Sequence, residues 1–340
     1  MENVTIRRLA QQLQLSAATV SKALADSHEI SDATKKRVLD LAASLNYTPN
    51  PYASSLRKKK SKTLAVIVPE VSDSFFAQVI DGVEDVAQDK GYHVLICLTH
   101  ERAAKQQAIL TEFLGGRADG ILMSVTSEKG DHGPVNELQA KGIPLVFFDR
   151  VWEDLEAARV ITDDMESAYK ATEHLIKGGS RRIALLSISD TLSISRQREE
   201  GYKRALADHG LPFSEADIVR CANSNDQAAN LELLKGLLNG EDRPDGIIAT
   251  VEKLVTTAYL ACAEKGLSIP GDLQVIGFSN LTSAMILQPS LTTITQPAFE
   301  MGKEAAALLF KALANKGLSI QEERIVIPSV LHLRGSTRNL

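Results

Sequence analysis

Apolar residues in the first 48 positions recur with helical spacing in three short stretches. Within each stretch they stand three and four residues apart, which places them on one face of a helix. The inward-facing positions are Ile6, Leu9, Ala10 and Leu13; Val20, Ala23 and Leu24; and Val38, Leu41, Ala42 and Leu45. Thr5, Ser16 and Ser31 precede the stretches and are residue types that cap helix N-termini. The pattern predicts a small all-α helix-turn-helix domain.

From residue 63 onward, continuous apolar runs alternate with stretches of helical periodicity. The runs predicted as buried strands are 63–68, 93–98, 120–123, 144–148, 183–186, 218–220, 246–249 and 273–278. The stretches predicted as helices are 75–89, 102–114, 135–141, 165–177, 196–209, 226–239 and 252–265. Strand–helix alternation is typical of parallel sheets. Two such sets predict an α/β body of two doubly wound parallel-sheet lobes, with a ligand cleft at the carboxyl ends of the strands.

The second predicted helix leaves Ala17, Ala18, Ser21 and Lys22 on its outer face. Alanines let a helix approach the major groove closely and contact a thymine methyl, and a lysine donates to guanine O6 or N7. The hydroxyls of Thr19 and Ser21 and the helix N-terminus can hold phosphates. The pattern therefore predicts a DNA-reading helix. The alternative is a small protein-interaction domain with a solvated Lys22.

Residues 49–62 combine a helix start with a run of cations. Asn50 before Pro51 is a favourable N-cap followed by a favourable first helical residue. A helix of about seven residues is marginal alone, so we expect it to form only against a partner. Leu56 beside the basic run 57–60 suits a minor-groove wedge, in which cations hold phosphates while an apolar side chain opens a base step. The alternative is a basic, protease-sensitive linker.

Charge is divided unevenly along the 340 residues, whose net charge is −5. Residues 1–62 carry eleven Lys and Arg against five Asp and Glu, a net charge of +6, which leaves −11 for the remainder. A basic segment favours a polyanion, because cations on DNA release condensed counterions. The alternative is a basic surface that arose by chance.

Cysteine usage and the missing targeting motifs indicate the compartment. Three scattered cysteines indicate free thiols in a reducing environment. The start of the chain lacks the features of a signal peptide, and no apolar run reaches about 18 residues. We therefore expect a cytoplasmic, nucleoid-associated protein with no membrane partner.

Motifs for catalysis, cofactors or metals are not found in the sequence. It contains no glycine-rich phosphate loop and no Gly-x-Ser-x-Gly elbow, and its seven histidines show no His-x-x-x-His spacing. We therefore expect no cofactor, no metal site and no enzymatic activity.

Two motifs of the amino-terminal region together resemble the lactose-repressor (LacI/GalR) family of bacterial regulators. They are Leu15-Ser16-Ala17-Ala18-Thr19-Val20-Ser21 and the run from Leu45-Asn46-Tyr47 to Ala53-Ser54-Ser55-Leu56. The resemblance implies that Ala17, Ala18 and Lys22 read bases and that Leu56 intercalates. It also implies a homodimer on a near-palindromic double-stranded DNA operator, with paired hinge helices in the minor groove. The full set of DNA-binding candidates is Thr5, Ser16, Ala17, Ala18, Thr19, Ser21, Lys22, Asn50, Ala53, Leu56 and Arg57.

The body resembles the same family, and the related periplasmic sugar-binding fold, from about residue 64 to residue 338. The stretches that carry the resemblance are 147–150, 198–202, 266–270, 275–278 and 289–297. The resemblance implies an effector cleft lined by Phe75, Phe76, Asp149, Arg150 and Arg198. Aromatic faces stack on flat rings, while a carboxylate and a guanidinium bind hydroxyls or a carboxylate. For each residue the alternative is a place in the core or in a surface ion pair.

Two further cleft positions, Val251 and Ser279, depart from the family pattern. Ser279 stands where an Asp usually follows the Gly-Phe of the late strand, and Val251 stands where the family often has Asn. The Val251 side chain makes no hydrogen bond, and Ser279 lacks a bidentate acceptor for adjacent hydroxyls. The departures leave open a sugar-like effector, a non-sugar effector and a protein effector.

These patterns predict three parts: a helix-turn-helix domain, a hinge helix with linker, and an effector-binding and dimerisation body, at 1–48, 49–62 and 63–340. The two lobes of the body are expected at 63–161 with 292–325 and at 162–291 with 326–340. We expect a sequence-specific transcriptional regulator, specifically a repressor, controlled allosterically by a small molecule. The weaker alternatives are a ligand-binding protein of transport type and an α/β enzyme.

Overall fold

A computed structural model describes residues 5–47, 60–126, 130–221, 226–315 and 319–338. The described residues form two compact units that divide between Ser61 and Lys62. Within these ranges, no helix is long and apolar enough to cross a membrane.

The first unit, the head, consists of α1 (Ile6–Leu13), α2 (Ala17–Leu24) and α3 (Asp32–Ser44). Each helix begins with the cap expected from the sequence. The side chains of Thr5, Ser16 and Ser31 accept hydrogen bonds from backbone N–H groups three residues later, at 3.4, 3.0 and 3.4 Å. The buried core of the head consists of Leu9, Ala10, Val20, Ala23, Val38 and Ala42. All six are positions that the helical pattern turned inward, so the predicted helical domain is confirmed.

The second unit, the body, contains strands and helices in alternation. Its strands are β1 (Thr63–Val68), β2 (His93–Leu98), β3 (Gly120–Met123), β4 (Leu145–Phe148), β5 (Ala158–Thr162), β6 (Ile183–Ser187), β7 (Ile218–Arg220), β8 (Gly246–Ala249), β9 (Gln274–Phe278), β10 (Thr292–Thr295), β11 (Arg324–Ile327) and β12 (Val330–His332). Its α-helices are α4 (Ser74–Asp89), α5 (Ala103–Phe113), α6 (Gly133–Ala140), α7 (Asp164–Lys177), α8 (Ser193–Asp208), α9 (Gln227–Leu237), α10 (Glu252–Lys265) and α11 (Ala298–Ala314).

The described strands form two six-stranded sheets, one in each lobe. Their orders are β11-β5-β4-β3-β1-β2 and β12-β10-β9-β8-β6-β7. The pairings are parallel except for that between β10 and β12. In each sheet the strand order reverses at the first strand of the lobe, β1 or β6, and such reversals open a crevice at the carboxyl ends of the strands. The predicted architecture of two doubly wound lobes is confirmed.

The lobe boundary differs from the expected one at two places. The sequence pattern predicts residues 292–325 in the first lobe, but β10 pairs with β9 of the second sheet, with Thr292 opposite Ile276. It predicts residues 326–327 in the second lobe, but they complete β11, which pairs with β5 of the first sheet. The chain therefore crosses between the lobes three times, after β5, after β10 and after β11.

Two close helix pairs hold elements that line the cleft. A Cβ atom on Gly201 of α8 would lie 2.0 Å from the backbone oxygen of Met165 in α7. A Cβ atom on Gly82 of α4 would likewise lie 2.0 Å from the backbone oxygen of Phe299 in α11. Only glycine permits such an approach, so the two contacts set the positions of α4 and of Arg198, one turn before Gly201.

Candidate DNA-binding surface and effector cleft

The outer face of α2 presents small residues and one cation. Ala17, Ala18 and Lys22 are exposed, whereas Val20 and Ala23 on the opposite side are buried in the core of the head. The face has the chemistry that a major groove requires, because alanines permit close approach and a lysine donates to base acceptors.

The other DNA-binding candidates divide into two groups. Thr5 and Ser16 are exposed helix caps, and Ser16 Oγ lies 2.8 Å from the hydroxyl of Thr19. Ser21 is half-buried on α2. The candidates Asn50, Ala53, Leu56 and Arg57 lie outside the described residues.

The body contains a cleft between its two lobes. It is lined by all seven predicted effector-binding residues: Phe75, Phe76, Asp149, Arg150, Arg198, Val251 and Ser279. It is also lined by seven residues that were not predicted: Asp73, Ile194, Thr250, Glu252, Phe278, Asn280 and Gln296. The space free of atoms is about 350 Å³, part of it open to solvent.

Many of the lining residues follow the carboxyl ends of parallel strands. Asp149 comes directly after β4, Thr250 after β8, Ser279 after β9 and Gln296 directly after β10. These ends converge on the crevice of a doubly wound sheet. The same rule could have indicated Thr250, which directly follows a strand that the sequence did predict.

Arg198 on α8 is almost fully buried, with 2 % of its surface exposed. Its Nε donates to Asp164 Oδ1 at 2.7 Å, and its Nη1 donates to the backbone oxygen of Thr250. Its guanidinium carbon lies 3.9 Å from the ring centroid of Phe278. Its Nη2 is buried and has no hydrogen-bond partner among the described residues. Because a buried donor without a partner costs free energy, Nη2 is suited to bind an acceptor atom of a ligand.

Asp149 and Arg150 follow β4, where Asp149 adopts a left-handed φ of 58°. Asp149 Oδ1 lies 3.4 Å from Gln296 Nε2, and Oδ2 lies 3.8 Å from Arg150 Nε. Burial raises the pKa of Asp149 to about 6, while the charges of Arg150 and Arg198 act in the opposite direction. Asp149 is therefore a buried acceptor between two guanidinium groups, suited to bind hydroxyl donors.

Arg150 connects this acceptor to the aromatic side of the cleft. Its Nη1 donates to the Glu101 carboxylate at 2.9 and 3.0 Å, and its guanidinium carbon lies 5.6 Å from the ring centroid of Phe76. The rings of Phe75 and Phe76 meet edge to face, with centroids 5.2 Å apart. The cleft thus combines an apolar face with a charged hydrogen-bonding face, as sites for small polar molecules do.

Glu252 begins α10 and links three elements around the cleft. Its carboxylate accepts hydrogen bonds from the backbone N–H of Ser74 at 3.3 Å and from the Ser74 hydroxyl at 2.5 Å. It also accepts a hydrogen bond from the Ser279 hydroxyl at 2.9 Å, so this predicted effector contact is engaged within the protein. Burial and, next, the charge of Glu252 raise the pKa of Asp73 to about 6.

Further contacts join the lobes beside Glu252. Asn280 Nδ2 donates to Gln78 Oε1 at 2.9 Å, and Gln78 Nε2 donates back to the Asn280 backbone oxygen at 3.3 Å. Lys253 forms an ion pair with Glu70. The two walls of the cleft are therefore held together by polar side chains in addition to the three chain crossings.

Two family models match the chain, one in each unit. The model described as "Bacterial regulatory proteins, lacI family" matches residues 5–50. The model described as "Periplasmic binding proteins and sugar binding domain of LacI family" matches residues 61–332, which is most of the chain. The chain belongs to the LacI family. As a LacI-family member it is a DNA-binding transcriptional regulator with a periplasmic-binding-protein-like body.

Among curated relatives, LacI-family proteins match over nearly the whole length. The catabolite control protein A of Priestia megaterium is 29% identical over 337 residues, which cover 99% of this chain and 100% of the relative. The ribose operon repressor of Halalkalibacterium halodurans is 31% identical, covering 98% of this chain and 97% of the relative. These relatives are regulators of transcription, and the chain is a regulator of this kind rather than an enzyme.

Solved structures agree with this assignment. A LacI-family regulator from Silicibacter pomeroyi superposes with a TM-score of 0.80 at 25% identity, covering 98% of this chain and 99% of that structure. A LacI-family regulator from Enterococcus faecium with bound ribose superposes with a TM-score of 0.72 at 26% identity. That superposition covers 82% of this chain and 99% of that structure.

Proposed function

We propose that this protein is a transcriptional repressor that binds a near-palindromic operator as a homodimer and is controlled by a small polar molecule in the body cleft. The observation that carries the proposal is the buried Nη2 of Arg198, a donor without a partner among the described residues, in a cleft of a LacI-family chain. The protein would act on DNA in the cytoplasm, because the LacI family to which the chain belongs consists of bacterial DNA-binding regulators.

The head would read the operator through α2. Lys22 would donate to guanine, while Ala17 and Ala18 would allow close approach and contact thymine methyl groups. The helix caps Thr5 and Ser16, with Thr19 and Ser21, would hold phosphates. These residues would fix the register of the head on the duplex.

The hinge would add affinity through the minor groove. Asn50 would cap a short hinge helix, Leu56 would open a base step, and Ala53 and Arg57 would contact the DNA. The pairing of two hinge helices requires two copies of the chain. A near-palindromic site accommodates two copies because it has the same twofold symmetry as the dimer.

The effector is proposed to be a compact molecule with a flat apolar face and several hydroxyl groups. The edge-to-face pair of Phe75 and Phe76 would contact its flat face. Asp149 would accept hydrogen bonds from hydroxyls, and Arg198 would donate to an oxygen. The ribose bound to the Enterococcus faecium relative supports a sugar-like class.

A non-sugar effector or a protein effector is the second candidate. It is favoured by Val251, which offers no side-chain hydrogen bond, and by Ser279, whose hydroxyl is used by Glu252. With the Asn and Asp of the family pattern, both positions would bind hydroxyl groups of a sugar. Titration calorimetry against a panel of monosaccharides and their phosphates separates the candidates, because only a sugar-like effector gives a binding signal.

Control would follow from the different affinities of the effector for open and closed clefts. A ligand that binds one arrangement better shifts the equilibrium toward it, and a coupling of about 1–3 kcal/mol changes operator affinity about 5- to 150-fold. In the dimer, closure would change the spacing of the two first lobes, which follow the hinges in sequence, and so favour or prevent pairing of the hinge helices.

The test is selection of DNA by the purified protein from a random pool, followed by gel-shift titration of the selected site. The expected result is a near-palindromic site whose affinity changes when a molecule from the calorimetry panel is added. A protein that selects no sequence at modest ionic strength contradicts the proposal.

A further inference from the structure

The turn that follows α2 brings a carboxylate to the only cation predicted to read bases. Lys22 Nζ forms an ion pair with Glu29 Oε2. About half of each side chain remains exposed, 45% for Lys22 and 54% for Glu29. The ion pair therefore lies on the surface of the head and can meet a ligand of the recognition helix.

Local hydrogen bonds hold Glu29 in this place. Asp26, the residue after the C-cap Ala25, has a left-handed φ of 51°, and the Ser27 N–H donates to the Lys22 backbone oxygen at 3.0 Å. The Ile30 N–H donates to the Ser27 backbone oxygen at 3.2 Å, and the Glu29 N–H lies 3.4 Å from Ser27 Oγ. The turn thus doubles back and returns Glu29 to the last turn of α2.

The neighbouring carboxylate of the same turn has another partner. Asp26 forms an ion pair with Lys35 of α3 at 2.7 Å, and Lys35 also lies 3.7 Å from Asp32. The charge of Asp26 is therefore neutralised by Lys35 of α3, whereas Glu29 pairs with Lys22 of α2, the predicted DNA-reading helix. The two acids carry the same charge in the same turn but face different cations.

An adjacent donor and acceptor match the major-groove edge of one base pair. A G·C pair presents the acceptors N7 and O6 on guanine beside the N4 amino donor of cytosine. Lysine donates to the guanine acceptors, and glutamate accepts from cytosine N4. A T·A pair offers the same central acceptor and donor, but it places a methyl group beside the lysine and the N7 acceptor of adenine beside the carboxylate.

We propose that Lys22 and Glu29 act together as one reader of a G·C pair, with guanine bound by Lys22 and cytosine by Glu29. The inference rests on the proposed sequence-specific DNA binding and adds a specificity residue from outside the recognition helix. A carboxylate at this position also rejects the reversed C·G pair, because it would then face the guanine acceptors.

The test compares four proteins in selection from a random oligonucleotide pool: the wild type, Lys22→Ala, Glu29→Gln and Asp26→Asn. Glu29→Gln and Asp26→Asn each remove one negative charge from the same turn. The wild type is expected to select G·C at one position of each half-site. Glu29→Gln is expected to lower that preference roughly tenfold at the position that Lys22→Ala also affects, and Asp26→Asn is expected to leave it unchanged.

The outcomes separate this inference from the proposed function. If Glu29→Gln keeps the wild-type preference for G·C, the paired reading is overturned. It is also overturned if Glu29→Gln and Asp26→Asn change the base preferences equally at all positions. Neither outcome contradicts the proposed function as a DNA-binding regulator. Loss of preference at different positions in Lys22→Ala and Glu29→Gln overturns the paired reading too. A wild-type protein that selects no sequence overturns the proposed function itself.

Discussion

Glu252 and Ser74 connect the first residues of two helices that lie on opposite sides of the cleft. The Glu252 carboxylate, at the start of α10, accepts from the Ser74 hydroxyl and from the Ser74 N–H at the start of α4. A carboxylate is stabilised at a helix N-terminus by the unpaired N–H groups and the helix dipole. The contact joins residues 178 positions apart in sequence and links the two lobes directly.

Replacing Glu252 with alanine is expected to loosen the contact between the lobes. Because the Ser74 N–H donates to this side chain, its exchange with deuterium is expected to accelerate in Glu252→Ala and less in Glu252→Gln, which keeps an acceptor oxygen. Hydrogen exchange with mass-spectrometric readout over residues 74–78 measures the effect. Glu264→Ala, on the same helix but in an exposed ion pair with Lys235, is the matched control. Equal exchange in all variants contradicts a linking role for Glu252.

Asp149 is expected to give the protein a pH-dependent stability. Its pKa is about 6 in the folded state and about 4 in an unfolded chain, so between these values the folded protein binds a proton that the unfolded chain does not. Stability from this group therefore rises as the pH falls from 6 to 4. Asp149→Asn removes this dependence, a difference on the order of 2 kcal/mol across the window.

Urea unfolding at pH 4.5, 5.5 and 7 tests this expectation. The curves for wild type and Asp149→Asn are expected to diverge as the pH rises. Asp89→Asn alters an exposed carboxylate at the end of α4 and serves as the control. Parallel pH dependences of Asp149→Asn and the wild type contradict the assigned pKa.

Arg198→Lys is expected to impair the cleft although the charge is retained. A single ammonium group cannot reproduce the contacts of the guanidinium to Asp164, Thr250 and the Phe278 ring. We expect a fall of about 2 kcal/mol in the free energy of unfolding and at least a tenfold loss of effector affinity. Arg204→Lys, a more exposed position on the same helix, is the control. Unchanged stability in Arg198→Lys excludes a positioning role for the guanidinium.

Trp152, the single tryptophan of the chain, is expected to report on the cleft. It is fully buried in a hydrophobic cluster of the first lobe that also contains Leu192 and Ile194 from the start of α8 in the second lobe. A change in lobe spacing alters this environment, so intrinsic fluorescence is expected to shift on addition of a binding sugar from the panel. Ile194→Ala is expected to reduce this fluorescence shift. If a ligand that binds by calorimetry leaves the spectrum unchanged, the expected coupling between lobe spacing and the environment of Trp152 is refuted.

Leu9→Ala is expected to abolish DNA binding without affecting the body. Leu9 is fully buried in a core of six small and medium side chains, and such a truncation costs about 2–5 kcal/mol, comparable to the stability of so small a domain. Gel shifts are expected to be lost, while the thermal transition of the body is retained. Gln12→Ala, exposed on the same helix, is the control. A Leu9→Ala protein that still binds DNA normally contradicts this account of the head.

The helical head and most of the sheet strands could be predicted because their burial follows a regular period. Leu9, Val20 and Val38 stand at helical spacing, and the central strands are continuous apolar runs. The cleft residues Asp149 and Arg198 could be predicted only through resemblance to the family. Burial alone does not distinguish a ligand contact from a core ion pair.

The lobe boundary and the linking contact could not be predicted in the same way. β10 is the run Thr-Thr-Ile-Thr, four residues whose pattern does not determine which sheet they join. The exposed sides of β11 and β12 weaken the apolar signal of both edge strands. The partners of Glu252 are set by tertiary approach, since Ser74 and Ser279 lie on other elements.

The last crossing between the lobes has a consequence for synthesis of the protein. β11 and β12, residues 324–332, supply one edge strand to each sheet, so neither sheet is complete until those residues leave the ribosome. The head has its whole core within residues 9–42 and can fold much earlier. Nascent chains therefore carry the complete three-helix core of the head before either sheet of the body is finished, and premature termination releases heads that lack a complete cleft.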